Sequence, residues 1–480
     1  MHNHRSDFLN PQENSMESPN ITSREGGLEK ALTQRQIAMI GIGGAIGTGL
    51  FMGSGIAIGY AGPAVLISYL IAAVVAVIMV FSLAEMAVAH PTAGSFGTYA
   101  EMYLNRWAGF VVRYTYWVIE VVAVGGEAIA VGLYMGFWYP GVPVWLWSLA
   151  FGVVLVYVNC RSVTNFGSLE YWFALIKVVA IVAFILVGLI HVFGLGTGAP
   201  VGLHNLTGLP GGFMPHGFHG VWMGVLMAIF SFYGVEIVAV TSGEAKDPSR
   251  AIPHALRSMV LRLTLFYLLA LGIMVAYLPW TEAGAKVVQQ SPFVKLFAHA
   301  GIAHAAGIMN FVVITAALSS MNTNLYLSSR TLFSLARGGY APSWLGRLSS
   351  NGTPLVATLI SGVGILIAAS ISFFSPLAYN YLFGIALFGG IFVWIMILVT
   401  HLRFRQAWQG RKLPVRMPFF PVAQITGIAL LAAILITMGL DTEFWDISWI
   451  VGVPWLLAVS AVYFLYRKRL SQAAIGGASA

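Results

Sequence analysis

Along this chain, long apolar runs alternate with short polar ones. A helix that crosses a bilayer needs about 20 mostly apolar residues. Twelve runs fit that description, at about 36–57, 62–84, 108–137, 143–159, 171–193, 218–243, 259–279, 301–329, 355–374, 378–400, 420–440 and 449–466. They are called segments one to twelve below. The fourth is short and the third and eighth are long, which predicts tilt or extra turns. The stretch GSFGTYAEMYLN, 94–105, is too polar to span and predicts a short interfacial helix.

Composition sharpens this picture. The 480 residues are 58% hydrophobic and only 9% charged, against about 25% charged in a typical soluble protein. So few charges cannot cover so much apolar surface in water, and the class is an all-α polytopic membrane protein. The lone Cys160 excludes an intrachain disulfide and a cysteine-based zinc site. The net charge of +8 is read as topology and not as nucleic-acid binding. With the N-terminus inside, Lys286 and Lys295 alone among the 25 Lys and Arg fall outside, and Lys177 lies within segment five. An even number of spans then puts both termini in the cytoplasm. Residues 1–35 lack the apolar core of a signal peptide and read as a mobile cytoplasmic tail.

Segment one carries IGIGGAIGTGLF, 40–51, with five glycines in twelve residues. Each glycine weakens a helix interior by about 1 kcal/mol relative to alanine. Segment six carries FSFYGVE, 230–236, near its middle. Taken alone, the first run also suits close helix packing of the small-xxx-small kind. Two weakened segments five helices apart instead suggest a five-helix unit used twice, with a midplane site where both unwind. Freed amides favour a carboxylate and freed carbonyls an ammonium, so the two breaks could hold both ends of a zwitterion. A nucleotide loop does not fit. Ile46 stands where the last glycine of G-x-G-x-x-G belongs, and no GxxxxGK occurs.

These stretches, with AGP (61–63), LAEMAVAHPTAGSF (83–96), WFALIKVVAIVAF (172–184), FSFYGVEIVAVTSGEAKDPSRAIPHAL (230–256) and SSMNTNLYLSSRTLFSLARGGYAP (319–342), resemble the amino acid permeases of the amino acid–polyamine–organocation superfamily. FWYP (137–140) and PHGF (215–218) resemble its bacterial aromatic, proline and GABA permease branch. The resemblance implies the LeuT-like 5+5 inverted repeat: a ten-helix core over 36–400, with repeats at about 36–193 and 218–400. Helices eleven and twelve and a C-terminal tail would fill 401–480. It also implies proton-coupled import of an amino acid across a bacterial cytoplasmic membrane. By the same resemblance, the backbone amides of Gly47, Thr48 and Gly49 would hold the substrate carboxylate. The carbonyls of Ala45, Phe230 and Tyr233 would hold its amine, beside Ser231, and the Phe230 ring would cover it.

An ionisable residue inside the membrane is a functional candidate because its burial is costly. Lys177, Glu236, Glu120 and Glu127 qualify. Lys177 sits where family members carry a lysine that replaces a sodium ion and couples proton movement; snorkelling to the inner interface is the bland alternative. Glu236 closes the second break and is expected to pair with Lys177 or to satisfy unwound backbone. Glu120 and Glu127 are seven apart, so they share a helix face that must point inward. Glu127 matches the aromatic permease branch, whereas Glu120 stands where that branch has tyrosine. A pocket-facing Glu120 would favour a cationic substrate, and the alternative is a protonated, hydrogen-bonded core carboxyl. Asn322, Thr323 and Asn324 on segment eight either meet substrate or bridge helices.

An enzyme reading lacks a catalytic set: the spans hold no Asp and no HExxH. A channel reading lacks repeated filter elements. His216 and His219 are too little for a metal site. The expected partners are therefore an amino acid and the lipid bilayer, with a proton gradient as driving force, no cofactor, no nucleic acid and no obligate protein partner.

Overall fold

The computed structural model describes residues 21, 23–195, 200–284, 291–299, 304–375, 377–409, 415–440 and 446–476. Described residues fall almost wholly into helices. Ten stretches are long and apolar enough to cross a membrane. The first of them, Gln34–Ala89, is 56 residues long. At 1.5 Å per residue it would reach about 84 Å, far more than a bilayer of about 30 Å, so it makes two passes. The reversal lies at Gly62, whose φ of 61° and close neighbour Pro215 leave no room for a side chain. Segment six, Gly217–Ser231, is too short to count by length because it is interrupted. Twelve segments result among the described residues.

Segment one begins at Gln34 because Thr33 and Gln36 form a reciprocal cap. The Thr33 hydroxyl accepts from the Gln36 amide at 3.3 Å, and the Gln36 side chain accepts from the Thr33 amide at 3.1 Å. Segments two to five are Val65–Ala89, Arg106–Met135, Val144–Arg161 and Val163–Phe193. Segments seven and eight are Pro248–Tyr277 and Ala305–Arg337. Segment nine is jointed, Leu355–Ser361 and Val363–Phe374, and segments ten to twelve are Ala378–Ala407, Val422–Leu440 and Asp446–Gly476. Several helices outrun the hydropathy windows, chiefly on the N-terminal side of the membrane, where polar turns such as 163–170 continue the helix. The polar stretch after segment two forms the short helix Ser95–Tyr103.

Packing follows a repeat. Segment three lies against segment eight, and segment two against segment seven. The contact of segment one with seven has its counterpart in six with two, and that of three with ten in eight with five. Exchanging segments one to five for six to ten maps each pairing onto another, which is the 5+5 arrangement. Segments eleven and twelve pack on the outside against segments two, ten and three.

Residues before segment one are not a free tail throughout. Leu32 pairs backbone to backbone with the stretch after segment six: its amide donates to the Glu244 carbonyl, and its carbonyl accepts from Lys246, each at 3.1 Å. Glu25 is buried and accepts from Thr92, Thr98, Ser334 and the Gly94 amide. It also faces the Arg113 guanidinium at 3.7 Å. Arg113 is paired at 2.8 Å with Glu101, which takes Arg24 at 3.1 Å as well. The expected mobile tail over 1–35 is thus corrected for its last third. The charges of Arg24 and Glu25 find buried partners there, which hydropathy cannot reveal.

Burial alone would raise the Glu101 carboxyl, but Arg113 and Arg24 outweigh it and hold the group below the ordinary carboxylate range. A depressed folded value means stability that is fully present above the unfolded value of about 4.3 and is lost as pH falls through the folded one. Glu101→Gln should therefore flatten the acid side of the thermal-stability profile in detergent. An unchanged acid limb would refute this. A second buried pair, Arg330 with Glu244 at 3.0 Å, ties segment eight to the foot of segment six. Arg330→Ala should destabilise by about 3–5 kcal/mol, since it strands a buried carboxylate. The shift of the denaturation midpoint measures that.

Candidate functional site

The glycines of segment one do interrupt it. The helix Gln34–Ala45 ends at Ile46, which leaves helical geometry with φ −84° and ψ 86°. After Gly47 and Thr48 the chain rewinds, first as a wide π turn over Gly49–Gly53 and then as the helix Ser54–Ala61. Such a break frees the last carbonyls of the first half-helix. Lys177 from segment five meets them. Its fully buried ammonium donates to the Gly43 carbonyl, to the Ile46 carbonyl at 2.8 Å and to the Ser319 hydroxyl at 2.6 Å. A cation is the sign that the C-terminal end of a half-helix favours. The side chain turns into the bundle and does not reach for the membrane surface.

Segment six unwinds after Ser231 and resumes at Ile237–Val240. Gly234 has a φ of 92°, and a Cβ there would lie 2.5 Å from the Gly44 carbonyl oxygen. The two breaks therefore touch backbone to backbone. Tyr267 of segment seven clasps them: its hydroxyl lies 3.0 Å from the Ala45 carbonyl oxygen and 2.7 Å from that of Ser231.

Beside the crossing lies a cavity of about 60 Å³. Its walls are the first break (Gly44, Ala45, Gly47, Gly49), the second (Phe230, Tyr233, Gly234), segment three with Glu120 and Glu127, and Ser320 and Asn324 of segment eight. Segment ten closes it with Tyr379 and Phe383. This space holds only a few waters, so a larger ligand enters with movement of the aromatic side chains. The Phe230 and Phe383 rings meet at 4.0 Å, and Tyr233 stacks on Trp394 at 5.4 Å. Gly390 makes that stack possible, since a Cβ there would coincide with the Tyr233 hydroxyl at 0.9 Å.

A hydrogen-bond chain borders the first break. Tyr379 donates to the Thr48 hydroxyl at 3.0 Å, and Thr48 donates to Glu127 Oε1 at 2.8 Å. Glu127 Oε2 and Glu120 Oε2 are buried without a hydrogen-bond partner from the protein.

Among the expected site residues, Ala45, Gly47, Gly49, Phe230, Tyr233, Glu120 and Glu127 are brought together around this cavity. Thr48 joins through Glu127 and Tyr379. Ser231 is turned away, its hydroxyl 2.8 Å from that of Tyr69. Glu236 does not line the cavity either, and among the described residues it forms no ion pair with Lys177. Its Oε1 faces the Tyr116 hydroxyl at 3.4 Å. Asn322 is corrected from a possible pocket residue to a bridge: it holds Asn159 at 2.7 Å and Glu170 at 3.0 Å, while Asn324 faces the cavity. Two positions along a helix are about 200° apart, so both cannot face one way. Glu170, missed because it falls one residue before the expected start of segment five, accepts from Ser319 and is fully buried. Its spacing of seven from Lys177 was a readable signal, the same one that paired Glu120 with Glu127.

A family model described as amino acid permease matches residues 36–473. The chain is 39% identical over 443 residues to the uncharacterized amino acid permease YtnA of Bacillus subtilis (strain 168), covering 91% of this chain and 95% of that one. It is 39% identical to the gamma-aminobutyric acid permease of the same organism, covering 94% and 96%. It is 37% identical to the aromatic amino acid transport protein AroP of Salmonella typhimurium (strain SL1344), covering 92% and 96%.

Tyr267→Phe would leave both break carbonyls without the clasp. A loss of about 1–3 kcal/mol is expected from the denaturation midpoint, and an unaltered midpoint would count against the clasp. Gly390→Ala should displace Tyr233 from Trp394, read as changed tryptophan fluorescence in folded protein.

Proposed function

This chain belongs to the amino acid permease family, and on that premise we propose that it imports an amino acid by proton-coupled alternating access through the cavity between the two breaks. The observation that carries the reading is the pair of interrupted segments crossing at Gly44 and Gly234, with their backbone in the cavity wall. In this reading amides at residues 47–49 of the first break and carbonyls of the second would hold the two ends of a zwitterion, with the Gly47 amide, which donates to the Ala45 carbonyl at 3.1 Å, released by the ligand. The Ala45 carbonyl already accepts from the Gly47 amide at 3.1 Å and from the Tyr267 hydroxyl at 3.0 Å, so an ammonium there would displace one of these donors, and the Phe230 carbonyl accepts from the Tyr233 amide at 3.0 Å.

Proton coupling is favoured over sodium coupling by Lys177. Carbonyls freed at a break are the oxygens that would coordinate a sodium ion. Here the lysine ammonium already sits on two of them. Loss of its proton would withdraw the charge that ties segment five to the end of the half-helix, so protonation and the shape of the break are linked. The bacterial relatives and the excess of Lys and Arg on the N-terminal side support a cytoplasmic membrane with both termini inside.

Reconstituted protein tests this. Accumulation of a labelled amino acid should follow an imposed proton gradient and fail with sodium alone. Lys177→Ala should abolish gradient-driven accumulation. Sodium-driven uptake that survives in Lys177→Ala would overturn the coupling assignment, and exchange without any gradient dependence would make the protein an antiporter.

A further inference from the structure

The proposed transport reading leaves the substrate class open, and the following rests on that reading. We propose that Glu120 recognises a second positive charge on the substrate, which makes the preferred cargo a diamino or guanidino amino acid.

The cavity wall holds two carboxyl side chains and no Lys, Arg or His among the described residues. Glu120 is 3% exposed and Glu127 7%. Each has one oxygen without a hydrogen-bond partner from the protein. A buried carboxylate in that condition is costly unless something supplies a charge or a donor. The nearby basic group, Lys177, is already committed to the Gly43 and Ile46 carbonyls and Ser319, outside the lining. Beyond Glu120 stands another acid, Glu236, reached through Tyr116 and not a cation.

The two carboxyls have different surroundings. Glu127 is fixed by Thr48 at the first break, where the ends of a zwitterion would be held. Glu120 lies seven residues earlier on the same face, about 10 Å along the axis. An extended lysine or arginine side chain covers roughly 6–7 Å, and a hydrogen bond at its tip supplies most of the rest. The rings of Phe230, Tyr233 and Phe383 wall the cavity and offer faces to a cation. A neutral amino acid brings one ammonium to this cavity, whereas a cationic one brings a second for Glu120.

The test compares near-isosteres that differ in charge, lysine against norleucine and arginine against citrulline, for the reconstituted protein. Both competition for uptake and ligand-induced thermal stabilisation in detergent are measured. The wild type should favour the cationic member by at least about tenfold in apparent affinity. Glu120→Gln should reduce that ratio by about tenfold, mainly through KM for the cationic member, and Glu120→Asp should retain most of it. Stabilisation by ligand reads the ratio even if Glu120→Gln no longer transports. Wild-type preference for norleucine or citrulline, or an unchanged ratio in Glu120→Gln, would overturn the assignment while leaving amino acid transport intact. Neither uptake nor binding of any amino acid would overturn the transport reading, and this inference with it.

Discussion

A backbone amide or carbonyl freed inside a membrane must find its partner within the protein, because no lipid group can supply one. The architecture around the two interrupted segments answers that constraint. Lys177 sits on the carbonyls at the end of the first half-helix. Tyr267 holds a carbonyl from each break with one hydroxyl. Gly44 and Gly234 let the two irregular stretches approach until their backbones touch. Without the lysine the Gly43 and Ile46 carbonyls would lose its ammonium as donor, and without Tyr267 its hydroxyl would no longer link the Ala45 and Ser231 carbonyls. The junction of the two breaks is thus made largely of main chain.

Segment three connects this centre to the N-terminal side of the membrane. Arg113, Glu120 and Glu127 recur every seven residues, so they form one stripe along the helix. Arg113 anchors the buried ion cluster with Glu25 and Glu101. Glu120 and Glu127 face the cavity. Tyr116, between Arg113 and Glu120 in sequence, reaches the foot of the second break through Glu236. A movement that opened the cavity toward the N-terminal side would have to disturb charges on this same helix. The Arg330–Glu244 pair and the backbone bridge of Leu32 to the stretch after segment six close that side further. Buried ion pairs are poor sources of net stability but strong determinants of which arrangement forms, since a broken pair strands a charge.

Much of this was legible in the residues themselves. Apolar runs of sufficient length dictate the number of spans, because lipid accepts only helices whose own backbone bonds are closed. Five glycines in twelve residues mark where the first helix fails, and Gly234 beside Glu236 marks the second. A spacing of seven predicts a shared inward face for Glu120 and Glu127 without knowledge of any neighbour. These are local properties: length, periodicity and backbone freedom act within a turn or two of chain.

Tertiary structure alone decided which inward group meets which. Asn322 and Asn324 look equivalent in sequence, yet one bridges to Glu170 and the other faces the cavity, because only packing sets the rotation of segment eight. Lys177 has Glu236 as its acidic candidate by sequence, and the structure gives its ammonium to carbonyls 131 and 134 positions away, with Ser319 between it and Glu170. Glu25 reads as part of a solvated tail until Thr92, Thr98 and Ser334 surround it. Such pairings depend on distances between segments far apart in the chain. Hydropathy reports only how well a residue tolerates lipid or water, so it is silent on where a buried polar group finds its partner.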